Sequence, residues 1–276
     1  MSLLLDALDT QLRARAPLIA PVSDLWRSRE LLRSFVARDL KARYRNSTLG
    51  FLWSFGNPLL LTVVFTIVFT TLLPQNVPNY HVFVLIGLVT WNWFAATVSG
   101  GVHSVTGASH LIRKVAFTRE TLPVSLVLSS GVHMVLAFIP VLLIAVGSGV
   151  RPSGLLLLFP LVVAIQAVFL SGVALLLACA NVYFRDIESI VDVALLACFF
   201  LTPVFYAVES LTTENTRLMY ILNPMASFIS TYRLLIYHDA PPAPEFILRM
   251  AVQSLLMFAI GLAVFRWRSG DLVEAV

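Results

Sequence analysis

The chain has 276 residues, of which 58% are hydrophobic and 12% charged, and its formal net charge is +4. Soluble domains carry roughly 25% charged residues, so this composition excludes a water-bathed globular fold and points to lipid as the main solvent. The positive balance then reflects orientation in a membrane and is not read as nucleic-acid binding.

Residues 1–51 read as a cytoplasmic N-terminal segment. Met1–Ala20 holds acidic residues and no sustained apolar core, so a cleavable signal peptide is not expected. Ser23–Arg45 reads as a helix, with Ser23 and Asp24 after Pro21 in place to cap its first turn. Leu25, Leu32, Phe35, Val36 and Leu40 share one face, and Arg27, Glu30, Ser34, Arg38, Lys41 and Arg45 share the other. Such a helix lies flat on a membrane with its apolar side down. Arg27, Arg38, Lys41 and Arg45 are its candidate interface cations. They serve as a topology anchor, a docking face for a cytoplasmic partner, or both.

From Asn46 to Ile112 there is no Asp, Glu, Lys or Arg. A span needs about 20 apolar residues, so two crossings are predicted, over 52–73 and 82–102, with a turn at Pro74, Pro78 and Asn79. Asn57-Pro58 lies early in the first crossing, where proline is tolerated. Trp91, Trp93 and Phe94 fall in the second, which Gly100-Gly101 closes. The loop His103–Leu122 carries Arg113, Lys114 and Arg119 and is long enough for a short helix.

Between Thr121 and Phe184 the only charge is Arg151, which predicts crossings over 123–147 and 155–180. A fifth is predicted over 188–208, with Arg185, Asp186, Glu188 and Asp192 at its start. Glu188 and Asp192 share a helix face and repel, Arg185 can offset this, and the helix dipole favours anions there. Phe199, Phe200, Phe205 and Tyr206 lie further along the same crossing. The outer segment Glu209–Glu245 holds two apolar stretches, Leu218–Leu222 and Phe228–Tyr237, separated by Asn223-Pro224. Two short helices dipping into the outer leaflet fit this pattern. Pro241, Pro242 and Pro244 stiffen the approach to a sixth crossing over 246–266, and 267–276 form a cytoplasmic tail.

The expected fold is therefore an all-α integral membrane protein: an amphipathic interface helix, a six-span domain over 52–266, and re-entrant outer helices between the fifth and sixth spans. Only Arg151, Arg217, Arg233 and Arg249 fall on one side, and the other Lys and Arg residues fall opposite. Both termini are thus expected in the cytoplasm. Cys179 and Cys198 lie inside predicted crossings and read as small buried apolar residues.

Neither lysine follows a glycine, so the chain lacks the phosphate-cradling loop of ATP hydrolysis. The five histidines are scattered without ligand spacing. Glu188 and Asp192 are the only paired acids beside an apolar segment, which leaves a membrane enzyme with little to work with. No acid is placed near a bilayer midplane, where an ion-coupled transporter more often carries one. Trp91, Trp93, Phe94, Phe199, Phe200, Phe205 and Tyr206 are candidates to line a path, because aromatic faces stack on the C–H faces of sugar rings. Lipid-facing or interfacial positions are the plainer reading of each.

Four segments carry a resemblance. The first is Arg38-Asp39-Leu40-Lys41-Ala42-Arg43-Tyr44, leading to Ser47-Thr48-Leu49-Gly50-Phe51-Leu52-Trp53 and Asn57-Pro58. The second is Leu111-Ile112-Arg113-Lys114-Val115-Ala116-Phe117-Thr118-Arg119-Glu120-Thr121-Leu122-Pro123. The third is Asn181-Val182-Tyr183-Phe184-Arg185-Asp186-Ile187 with Thr202-Pro203-Val204-Phe205-Tyr206, and the fourth is Asn223-Pro224 with Tyr232-Arg233. In these the chain resembles the permease subunits of ATP-binding-cassette exporters for polysaccharides such as O-antigen, capsule, teichoic acid and galactan. Thr118 departs from the pattern, standing where many relatives have proline.

The resemblance implies a non-catalytic homodimer in the plasma (inner) membrane, flanked by two copies of a cytoplasmic nucleotide-binding ATPase. That partner binds the ATP and Mg, so no cofactor is expected on this chain. The substrate implied is a lipid-linked polysaccharide moved outward from the cytoplasm. Arg113, Lys114, Phe117, Arg119 and Glu120 become the main ATPase-coupling element, and Arg185, Asp186 and Glu188 a second contact or gate. The aromatic residues become channel lining, and the Leu211–Tyr237 helices shape the exit. An exporter of the same class for a drug or small lipid is the alternative.

Overall fold

The computed structural model describes residues 28–44, 53–72, 77–114, 117–150, 154–184, 186–208 and 213–268, and among these every regular element is a helix. In chain order they are α1 (Arg29–Tyr44), α2 (Trp53–Ile67, running on as a π-helical turn Val68–Leu72), α3 (Tyr80–His103), α4 (Ser109–Lys114), α5 (Thr121–Gly147), α6 (Phe159–Tyr183), α7 (Ile187–Leu201), α8 (Thr213–Leu222), α9 (Pro224–Ile236) and α10 (Pro244–Arg268).

Four of the helical segments are long and apolar enough to cross a membrane: Tyr80–His103, Thr121–Gly147, Gly154–Tyr183 and Pro244–Arg268. They coincide with the predicted second, third, fourth and sixth crossings. The segment Pro58–Leu72 is apolar and shorter. α7 has 15 residues, about 22 Å at 1.5 Å per residue. It stops where Thr202 turns extended, at φ −95° and ψ 139°, because the residue before a proline is pushed out of helical space. Pro203 follows.

The bundle has two ends. Interdigitated side chains of α3, α5, α6 and α9, among them Ile86, Phe138, Leu170, Phe228 and Tyr232, form the main core. Tyr232 is fully buried, and its hydroxyl donates to Gln166 Oε1 at 3.0 Å, which satisfies the amide oxygen of a buried mid-bundle glutamine. α6 and α10 cross at backbone contact: a Cβ on Gly172 meets the Met257 carbonyl at 2.5 Å, and one on Gly261 collides with the Gly172 carbonyl. Small residues permit this close approach where the hydrophobic effect cannot drive helices together. A second cluster ties Phe35 of α1 to Ile112, Leu122, Leu175, Leu262 and Phe265. It joins α1 and α4 to the start of α5 and the last turns of α6 and α10.

α8 and α9 are the pair of short helices expected in the outer segment. Asn223 caps α9, its side chain accepting from Met225 N at 3.1 Å and Ala226 N at 3.4 Å, with Pro224 as first helical residue. α9 is buried along most of its length, so it belongs to the core. Asn79 takes the left-handed conformation (φ 46°) at the turn before α3, where Pro78 and Asn79 predict a turn.

The outward face is apolar. Leu60, Val63, Val64 and Ile67 of α2, Ile190, Val193, Leu196 and Phe200 of α7, and Leu248, Val252, Leu255 and Ile260 of α10 are all exposed. Val191 is the buried residue of α7. This inversion of the soluble pattern is what lipid or another subunit covers. Cys179 is buried as expected, but Cys198 is exposed on α7, because that helix turns nearly all its surface outward.

Candidate functional site: an aromatic wall and a polar end

The aromatic residues of three helices meet. Trp91 lies 5.0 Å from Phe94 and 5.6 Å from Phe199 between ring centroids. Phe199 contacts Phe200 at 5.5 Å and Phe205 at 5.9 Å, and Phe205 contacts Tyr206 at 5.3 Å. Phe65 and Phe69 of α2 stack on Phe205 at 5.6 and 5.4 Å. The result is a continuous wall along α2, α3 and α7. Six of the seven predicted aromatics belong to it: Trp91, Phe94, Phe199, Phe200, Phe205 and Tyr206. Trp93 does not. Two residues on from Trp91 it points across the helix, is buried, and donates from Nε1 to the Val127 carbonyl at 3.1 Å. Phe65 and Phe69 escape the sequence reading, although their four-residue spacing puts them on one helix face.

One buried cation shapes this wall. Arg233 of α9 is 3% exposed. Its Nη1 donates to the Pro203 carbonyl and its Nη2 to the Val204 carbonyl, each at 2.6 Å, and its Nε to the Phe83 carbonyl at 3.2 Å. The guanidinium carbon lies 3.4 Å from the Phe83 ring centroid. Gly87 makes the room, since a Cβ there meets the Val204 oxygen at 2.6 Å and Arg233 Nη2 at 2.9 Å. Arg233 therefore pins the 202–206 turn, which carries Phe205 and Tyr206, against α3. The Tyr80 hydroxyl donates to the Phe205 carbonyl and secures the same turn. Sequence position marks Arg233 as an outer cation; its signal as a bolt is a lone charge in the apolar run Phe228–Tyr237.

The polar end gathers most of the predicted coupling residues. Arg113 and Lys114 are the last two residues of α4. Phe117 meets Phe35 of α1 edge-on at 5.9 Å. The Thr118 hydroxyl lies 3.2 Å from that of Ser28. Arg119 is half-buried. Glu120 precedes α5, is 8% exposed, and accepts from Arg266 Nε of α10 at 3.1 Å. Asp186 precedes α7 and is exposed. Glu188 is exposed and lies 3.4 Å from His103 Nε2 at the end of α3. Arg38 pairs with its neighbour Asp39 through Nε and Nη2, and Lys41 is exposed. Arg27, Arg45 and Arg185, all predicted site residues, lie outside the described residues. A cavity of about 450 Å³ opens between α1, the end of α3 and the start of α5, lined by Arg38, Asp39, His103, Ser104, His110 and Ser125. The arrangement ties the loop before α5 to α1 and to α10 at once.

Comparison with known proteins gives a consistent picture. The family described as "ABC-2 type transporter" matches residues 30–237. The chain is 37% identical over 260 residues to the "O-antigen export system permease protein RfbA" of Myxococcus xanthus, covering 94% of this chain and 100% of that protein. It is 32% identical over 238 residues to a protein of the same name from Klebsiella pneumoniae, covering 86% of this chain and 91% of that one.

Proposed function

Because the chain belongs to the ABC-2 type transporter family, we propose that it is the membrane-spanning permease subunit of an exporter that moves a lipid-linked polysaccharide from the cytoplasm across the plasma (inner) membrane. ATP is hydrolysed by a separate cytoplasmic subunit. The observation that carries this reading is the continuous aromatic wall on α2, α3 and α7, in a chain alike along nearly its whole length to O-antigen export permeases. A charge-free aromatic wall stacks on sugar C–H faces without trapping a long polymer by ion pairing.

In this reading α2, extended by its π turn, and α7 complete six crossings with the four longer helices, and both termini face the cytoplasm. Two copies associate through the exposed apolar faces of α2 and α7, so that the walls of two chains enclose one path. Two ATPase copies dock at the polar end. Arg113, Lys114, Phe117 and Arg119 form the coupling element, with Asp186 and Glu188 as a second contact. Glu120 transmits: its contact with Arg266 carries a displacement of the loop into α10. O-antigen-type glycan is the favoured cargo over galactan or teichoic acid, on the names of the relatives alone.

The test is reconstitution in vesicles. The chain alone is expected to turn over no ATP and move no glycan; addition of the cognate ATPase confers both. Glycan export that persists without the ATPase overturns the reading.

A further inference from the structure

Among the described residues, Arg249 is the cation on α10 that lies away from the polar end and pairs with no carboxylate. It lies five residues after Pro244, about 7–8 Å along the helix from its start. That is the depth of the headgroup–acyl boundary for a helix entering a bilayer. Its guanidinium carbon lies 4.7 Å from the Phe246 ring centroid and 5.7 Å from that of Tyr220 on α8. Nη2 is 3.3 Å from the Ser227 hydroxyl of α9, and Nε is buried without a partner. Among the described residues no ion pair includes it; Glu245, one turn nearer the helix start, is exposed. Leu248 and Val252, beside it on α10, are 65% and 46% exposed and form the lipid-facing surface around it. One turn deeper, Gln253 has a buried amide oxygen with no partner. Turned over, that amide donates instead.

A half-buried guanidinium in apolar surroundings is costly unless an anion completes it. Here the protein supplies two aromatic faces and one long contact to a hydroxyl. The guanidinium's fork matches a phosphate bidentately. We infer that Arg249, between Tyr220 and Phe246, is a binding site for the phosphate of a membrane lipid at the α8–α9 end of the bundle. The geometry requires only that this end meet a headgroup layer. The two sources of such a phosphate are a bulk phospholipid and, resting on the export reading above, the polyprenyl carrier of the glycan as it emerges.

The test is lipid retention by the full-length complex with its ATPase, read by native mass spectrometry. The wild type is offered phosphatidylglycerol and a phosphate-free glycolipid of matched chains in equal amounts. Wild type is expected to keep phosphatidylglycerol in excess. Arg249→Gln is expected to lower that retention about tenfold, the scale of one charge-assisted hydrogen bond, and Arg249→Lys to keep an intermediate share. Equal retention of the two lipids by wild type overturns the proposal and needs no variant to fold. So does unchanged retention in Arg249→Gln. A parallel arm adds polyprenyl diphosphate: displacement of phosphatidylglycerol identifies the carrier as occupant, and failure to displace it identifies bulk lipid; both uphold a phosphate site. Phosphate-lipid retention without any glycan export leaves this site standing and sinks the export reading. Export without Arg249-dependent retention does the reverse.

Discussion

A single arginine illustrates how placement changes a residue's meaning. Arg233 counts, by its position in the chain, as one of the few cations on the outer side, yet it is buried and donates to three backbone carbonyls. Two of those carbonyls, of Pro203 and Val204, belong to a turn that cannot complete a helix, because Pro203 interrupts it; the third, of Phe83, lies in α3. In an apolar medium an unsatisfied carbonyl is expensive. Arg233→Leu is therefore expected to lower stability by about 3 kcal/mol, read as a drop in the unfolding midpoint in detergent, and to loosen the wall that Phe205 completes. Glu120 is a second case. Its pairing with Arg266 makes Glu120→Arg disruptive through a charge clash inside the permease. The double variant Glu120→Arg with Arg266→Glu is expected to recover export by a coupling of about 1–2 kcal/mol. If the double variant is no better than the single, Glu120 acts through the ATPase contact instead.

The helices separate into those held by backbone proximity and those that offer a surface. α6 and α10 belong to the first kind: their crossing depends on Gly172 and Gly261. Gly172→Val is expected to prevent that approach and abolish accumulation of folded protein, measured by detergent-stable monodisperse yield; a normal yield refutes the crossing. α2 and α7 belong to the second, with apolar faces that no described residue covers. The aromatic wall lies along the same two helices and α3, which gives a contrast between a ring in the wall and a ring in the core. Phe199→Ala is expected to slow export about fivefold, the scale of one ring contact near 1 kcal/mol, with assembly unchanged. Trp93→Ala is expected to lower stability first, since that ring is a core residue bonded to the Val127 carbonyl. Equal effects of the two on export at unchanged stability count against the wall as the path.

At the scale of the molecule, the polar end concentrates the loop before α5, α1, the start of α7 and the end of α10, and the opposite end holds α8, α9 and the pinned turn. In the export reading, a displacement at the polar end is expected to reach the other through α10, which carries Arg249 near its start and Arg266 near its end. Placing both termini on one side predicts that single cysteines introduced at Ser34 and Ser269, in a chain with Cys179 and Cys198 replaced, react with a charged thiol reagent from the same face of sealed vesicles. Opposite accessibility removes the six-crossing reading.

Composition and charge spacing by themselves determined the solvent and the helical class, since a charge-free run as long as Asn46–Ile112 leaves no surface for water. They also located the four long helices, the paired short helices about Asn223-Pro224, and most members of the aromatic set, because these depend on residue type and local geometry. The tertiary structure alone decided which aromatics share a face, that Trp93 leaves them, that Phe65 and Phe69 join them, and that Arg233, Glu120 and Arg249 have three different surroundings. A charged side chain takes its role from its partners, and those partners lie far along the chain: Arg233 reaches Phe83, and Arg266 reaches Glu120. Hydropathy reads each residue against its neighbours in order, whereas packing brings together residues that order keeps apart.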